Sequence, residues 1–225
     1  SDVCSSDLIL TRGGSVTFGT AAQNQSSKYG NLYLTGNSTI DTGADNAQGF
    51  VDIQGTIDGG STLTINAGSA PVNFSGAIGS TRAISGLNVS DASLITIRGN
   101  VTSSGGLVFG GPTFLQGSKL TLDTTGFASA GGGITFNGPL TASPGMDLTL
   151  TAGTGVITLA DKVSDLNSLT ITSGGGFNFV GGAEVEVAQD ISIVPDIQTS
   201  SFQQSSTGTG GVKLTAGRDL IQIGR

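Results

Sequence analysis

An all-β chain built as a parallel β-solenoid, with about 20–23 residues per coil and essentially no α-helix, is predicted by three features of the sequence. These are a recurring short phrase, pairs of apolar residues that alternate with polar ones, and glycine-rich breaks between them. The phrase reads apolar, any, apolar, any, Gly, any, apolar. It occurs as Val51-Asp52-Ile53-Gln54-Gly55-Thr56-Ile57, as Val72-Asn73-Phe74-Ser75-Gly76-Ala77-Ile78 and as Ile95-Thr96-Ile97-Arg98-Gly99-Asn100-Val101. It returns as Ile134-Thr135-Phe136-Asn137-Gly138-Pro139-Leu140 and, with Asp in the glycine slot, as Ile157-Thr158-Leu159-Ala160-Asp161-Lys162-Val163. Anchored on the third residue, the series runs Ile53, Phe74, Ile97, Phe136 and Leu159, and Phe179 continues it. Its steps are of one short, nearly constant length, except that the step from Ile97 to Phe136 reads as nearly two turns. A fixed period of this size marks a stack of repeated supersecondary units.

Between the phrases lie second apolar pairs, among them Leu63 and Ile65, Leu87 and Val89, Leu120 and Leu122, Leu148 and Leu150, and Leu169 and Ile171. Period-2 alternation is the pattern of a strand buried on one face. Gly, Asn, Asp and Ser fill the breaks, as in Asn66-Ala67-Gly68-Ser69 and Thr151-Ala152-Gly153-Thr154-Gly155. These residues accept the tight bends a coil needs at its corners. One coil cannot bury its own inward residues, so coils stack, about 4.8 Å apart. About ten coils are expected, giving a rod on the order of 50 Å long. Phe74, Phe109, Phe136 and Phe179 are the candidates for an interior aromatic ladder, with Ile97 and Leu159 as aliphatic members of the same core. Leucine-rich repeats share the period, but their L-x-x-L-x-L-x-x-N framework is missing.

Composition agrees and narrows the function classes. The chain has 225 residues, 38 of them Gly, and only 11% charged residues, while Thr, Ser, Val and Ile supply strand and turn formers. Net charge is −7, and the nine Lys and Arg are scattered, so no basic stripe serves a nucleic acid. No apolar run reaches the length of a membrane span. There is no His, which excludes a Ser-His-Asp triad, and the single Cys4 allows neither an internal disulfide nor a Cys/His zinc site.

Along the chain, residues 1–8 lack the alternation and are set apart as a leader or cloning remnant, and 9–225 are read as one solenoid. Both ends are expected to be cuts through a longer protein. Polar stretches near 21–46 and 194–209 break the rhythm and are expected as loops, with Tyr29, Tyr33 and Phe202 as exposed aromatic contacts.

The phrase Val212-Lys213-Leu214-Thr215-Ala216-Gly217-Arg218-Asp219-Leu220-Ile221-Gln222-Ile223-Gly224 resembles the repeats of filamentous-haemagglutinin-like exoproteins. Leu148-Thr149-Leu150-Thr151-Ala152-Gly153 and Leu63-Thr64-Ile65-Asn66-Ala67-Gly68 look like the same unit. The span from Phe74-Ser75-Gly76 through Gly99-Asn100-Val101-Thr102 resembles strand repeats of very large bacterial adhesins and autotransporter passengers. The resemblance covers residues 46–225. It implies a right-handed parallel β-helix that works as an adhesive rod, outside the cell or on the surface of a Gram-negative-type bacterium. An outer-membrane transporter would pass it during secretion, by two-partner secretion or autotransport, and a host-cell or matrix glycan or protein would be its ligand.

β-Helices also carry polysaccharide lyases and hydrolases, so the carboxylates need weighing. Glu184 and Glu186 flank Val185 at a spacing that turns both outward on one strand, with Asp161 or Asp165 a coil below. Paired carboxylates do acid/base work on a sugar when held about 5–9.5 Å apart. A solvated acidic face is the favoured reading, so no enzyme activity and no catalytic residue is assigned. Asp41, Asp45, Asp52 and Asp58 invite a calcium reading, but neither an EF-hand loop nor the calcium-binding nonapeptide is present, and turn formation accounts for them. No cofactor or metal is expected. Gly131-Gly132-Gly133, Gly153-Thr154-Gly155 and Gly174-Gly175-Gly176 carry neither a P-loop nor a dinucleotide fingerprint and are read as corners.

Overall fold

Apolar residues at every second position, cut off after a few residues by a bend, can form only short strands. The chain lays these down in a repeating cycle of three faces. The computed structural model describes residues 2–4, 8–19, 30–44, 48–126, 130–173, 175–180 and 184–195, together with the strands Gln204–Thr207, Lys213–Ala216 and Leu220–Gln222. For those three strands, and for residues 2–4, 173, 177, 194 and 195, only the backbone is described. No α-helix occurs among the described residues, and none is long and apolar enough to cross a membrane.

The first face is a nine-stranded sheet that runs in chain order from Leu8–Leu10 through Ser38–Asp41, Thr62–Asn66 and Gly86–Asp91. It continues through Leu107–Phe109, Ile134–Phe136, Ile157–Leu159 and Phe177–Val180 to Gln204–Thr207. The second face begins at Val16–Phe18 and climbs through Val51–Ile53, Pro71–Phe74, Leu94–Ile97, Thr113–Leu115 and Leu140–Ala142. The third takes Leu32–Leu34 and Ile57–Gly59, passes the single bridge at Ile78, and goes on through Val101–Thr102, Lys119–Asp123 and Met146–Thr151. Every pairing is parallel, between one coil and the next, as a stack of coils requires. The solenoid has about seven turns, a rod of roughly 35 Å at the spacing of paired strands.

Inside, like positions stack into columns. The first face aligns Ile40, Ile65, Val89, Phe109, Phe136, Leu159 and Phe179. The second aligns Ile53, Phe74, Ile97 and Leu115. The third aligns Val101, Leu122, Leu150, Ile171 and Ile193. All of these are buried, each contributing on the order of 2 kcal/mol in apolar area removed from water. Thr113 stands in the second-face interior between Ile95 and Leu140, and its hydroxyl donates to the Gly111 carbonyl at 3.2 Å, which satisfies the one polar atom the position introduces.

The columns correct the single ladder expected from sequence. Phe74 and Ile97 belong to the second face, whereas Phe109, Phe136, Leu159 and Phe179 belong to the first. Of the four phenylalanines, only Phe109 and Phe136 lie on neighbouring coils of one face, their rings stacked with centroids 4.8 Å apart and planes 18° from parallel. Leu159 then separates Phe136 from Phe179. The cause is the phrase itself. At Ile53, Phe74 and Ile97 it turns the chain from the second face to the third, and at Phe136 and Leu159 from the first to the second. The long step from Ile97 to Phe136 therefore crosses from one face to another, and within the first face a single coil separates Phe109 from Phe136. Coil length varies accordingly. The turn from Val89 to Phe109 is short, the one from Ile65 to Val89 is longer, and the one from Ile9 to Ile40 is longer still. Coils of unequal length thus stack in register, and fewer turns result than a constant short period predicts.

The glycine slot of the phrase has a steric origin. A Cβ on Gly55 would lie 2.2 Å from the Gly30 carbonyl oxygen, and one on Gly76 would lie 2.3 Å from that of Gly55. One on Gly99 would come within 2.6 Å of the Gly76 backbone. Successive coils touch backbone to backbone at this corner, and any side chain would push them apart.

The chain termini extend the pattern. Asp2–Cys4, within the segment set apart as a leader, runs parallel to Leu32–Leu34 at the start of the third face. Strands Leu32–Leu34 and Ser38–Asp41 occupy part of the stretch expected as a loop, as do Ile191–Pro195 and Gln204–Thr207 near the other end.

Candidate functional site

Among the described residues, three corner asparagines hold backbone N–H groups of the neighbouring coil that would otherwise go unpaired. Asn31 Oδ1 accepts from the Thr56 amide, Asn37 Oδ1 from Thr62 and Asn100 Oδ1 from Thr121, each at 3.0 Å and each one coil away. The described aspartates weighed for calcium lie in strands and are also occupied by hydrogen bonds. Asp58, buried, accepts from the amides of Thr81 at 2.7 Å and Arg82 at 3.2 Å. Asp41 accepts from the Gly43 amide and from Asn66 Nδ2, both at 3.1 Å, and Asp52 accepts from Gln54 Nε2 at 2.9 Å. Asp45 lies outside the described residues. Among the described residues, no group of three or more Cys, Asp and Glu is placed to hold a metal ion.

Of the aromatic contacts, Tyr29 and Phe202 lie outside the described residues. Tyr33 is half-buried on the outer side of the third face, and its hydroxyl accepts from Arg82 Nη1 at 3.4 Å.

A different region gathers charge. The strand Val163–Ser173 is 11 residues long and serves two faces: Val163 pairs with Leu140 and Val185 on the second, and Leu169 to Thr172 pair with Leu148 to Thr151 on the third. Bending one strand around a corner needs a break in regular geometry, and Asp165 supplies it with φ of 66°. Left-handed backbone at a non-glycine residue stores strain. The pairing slips on both sides of the bend, between Met146 and Asp147 and between Val163 and Leu166.

The bend opens a shallow cleft of about 530 Å³ walled by three successive coils. Pro144 and Gly145 come from the first, Lys162, Asp165 and Asn167 from the second, and Glu186 and Ala188 from the third. Asn167 is fixed by donating its Nδ2 to Asp147 Oδ1 at 2.7 Å, and Asp165 Oδ2 accepts from the Ser164 hydroxyl at 3.0 Å. Of the carboxylates singled out by spacing, Glu186 and Asp165 therefore share one recess. Glu184, on the same strand as Glu186, and Asp161 do not line it. Lys162 and Asn167 carry no signal in the sequence, since Lys162 is one of nine scattered cations and Asn167 follows a bend no motif announces.

The fold defines the class: a β-solenoid repeat protein. No protein-family model, no curated protein and no solved structure matches the chain.

Proposed function

We propose that this chain is a stretch of a structural, adhesive rod belonging to a bacterial exoprotein, displayed on or released from a Gram-negative-type cell and presenting surface to a host-cell or matrix glycan or protein. The observation that carries this reading is the stack of parallel coils around buried apolar columns, an extended support for exposed corners. The likeness of Leu63–Gly68 and Leu148–Gly153 to exoprotein repeats points the same way, and passage through an outer-membrane transporter follows from it. The rod works without catalysis, cofactor or metal. Beads coated with the purified chain are expected to attach to cultured epithelial cells or to matrix-coated surfaces above the level of beads coated with an unrelated β-protein. Attachment no better than that control would remove the adhesive role and leave a passive spacer.

A second reading, a carbohydrate-active β-helix enzyme, draws support from Asp165 and Glu186 facing one cleft. It requires turnover of a polysaccharide that is lost in Glu186→Gln. We expect no such turnover across a panel of plant and bacterial polysaccharides, and release of reducing or unsaturated ends by the parent chain would reverse the assignment.

A further inference from the structure

The cleft beside Asp165 has the makings of a recognition site. We propose that it binds a neutral oligosaccharide. Its volume of about 530 Å³ falls within the usual range of small-molecule sites and has room for more than one sugar ring. Its lining offers both partners that a hydroxyl needs: Asp165 and Glu186 accept, and the Lys162 ammonium donates. Pro144 and Ala188 add exposed apolar surface to the walls, against which the C–H face of a pyranose can lie.

The charges select the class. With two carboxylates and one ammonium the lining opposes an anionic ligand, and a cationic one meets attraction from Asp165 and Glu186 but repulsion from Lys162. A neutral polyhydroxylated ligand is opposed by none of it and can form charge-assisted hydrogen bonds with all three. The pocket is also held in shape before any ligand arrives. Asn167 is tied to Asp147 at 2.7 Å, and Asp165 holds a left-handed backbone that a strand would otherwise avoid. Strain of this kind persists where surrounding structure enforces it, and it gathers at ligand sites. Among the described residues no aromatic platform lines the cleft, so affinity is weak for a single site and rises when copies are displayed together.

The test is saturation-transfer NMR of the 225-residue chain with a panel of neutral di- to tetrasaccharides, followed by titration calorimetry on the best of them. At least one neutral sugar is expected to bind. Its affinity falls about tenfold in Lys162→Ala and in Glu186→Ala, the loss of one charge-assisted hydrogen bond. Glu184→Gln, on the same strand but outside the lining, binds like the parent. Asp165→Gly keeps a residue suited to the local φ while removing the carboxylate, so it weakens binding with its melting transition close to the parent's. The proposal is overturned if no neutral sugar binds, if only acidic or amino sugars do, or if Lys162→Ala and Glu186→Ala bind as tightly as the parent. It stands apart from the adhesive reading: sugar bound without cell attachment would keep the cleft and remove the adhesin.

Discussion

Gly76 and Gly145 show two different reasons for a glycine. At Gly76 the obstacle is space, because a Cβ would sit 2.3 Å from the Gly55 carbonyl oxygen. At Gly145 there is nothing within 4 Å, but φ is 80°, so the obstacle is conformational. Gly76→Ala is therefore expected to cost about 3 kcal/mol, as overpacking does when rigid backbone must move. Gly145→Ala should cost about 1 kcal/mol, the strain of an L-residue in left-handed backbone. Urea titrations measure both, and equal losses would contradict this division. Asp165 is the converse case, and Asp165→Gly is expected to stay within about 1 kcal/mol of the parent, since relief of strain offsets added freedom in the unfolded chain. In the core, Phe136→Ala should cost about 4 kcal/mol. A double-mutant cycle with Phe109→Ala should give a coupling of about 1 kcal/mol for the stacked rings. Absence of coupling would mean that the rings fill space independently.

At the scale of strands and corners, the sequence states local shape well and global position poorly. Alternation in Leu63-Thr64-Ile65 or Leu148-Thr149-Leu150 announces a half-buried strand, and both are strands with the apolar residues inside. The tetrads beginning at Ala67 and Ala152 build the same turn. Each has a buried Ala, a Gly of positive φ (58° and 52°), and a carbonyl bonded three residues on, at 3.0 and 2.7 Å. Yet one leads from the first face to the second, and the other from the third to the first. A bend is encoded by its own few residues, whereas its place on the coil depends on everything stacked beneath it. That is why the repeated phrase groups Phe74 with Phe136, although they stand on different faces. The candidate site is half legible for the same reason. Spacing brings Glu186 and Asp165 onto adjacent coils, but the recess depends on a left-handed Asp that no glycine marks. Where a corner side chain ties one coil to the next, its removal should be felt modestly. Asn100→Ala, which orphans the Thr121 amide, is expected to lower stability by about 1 kcal/mol, and no change in the urea midpoint would show that water replaces it.

For the whole molecule, each coil touches only its neighbours, so stability accumulates rung by rung. Amides in the central strands, such as those of Val89 and Phe109, should exchange with deuterium far more slowly than that of Ile9 in the first rung of its sheet. Uniform protection along the rod would argue for a single all-or-none unit instead.

The parallel pairing also sets how such an object breaks under load. Its backbone N–H···O=C bonds lie along the long axis, so tension between the two ends does not shear many of them at once. It strips the outermost turn while those behind remain intact. With one turn running from Ile65 to Val89, each detachment releases about 80 Å of extended chain. Under such a pull the rod would let out slack a little at a time and yield by steps, where a brittle link would fail at once.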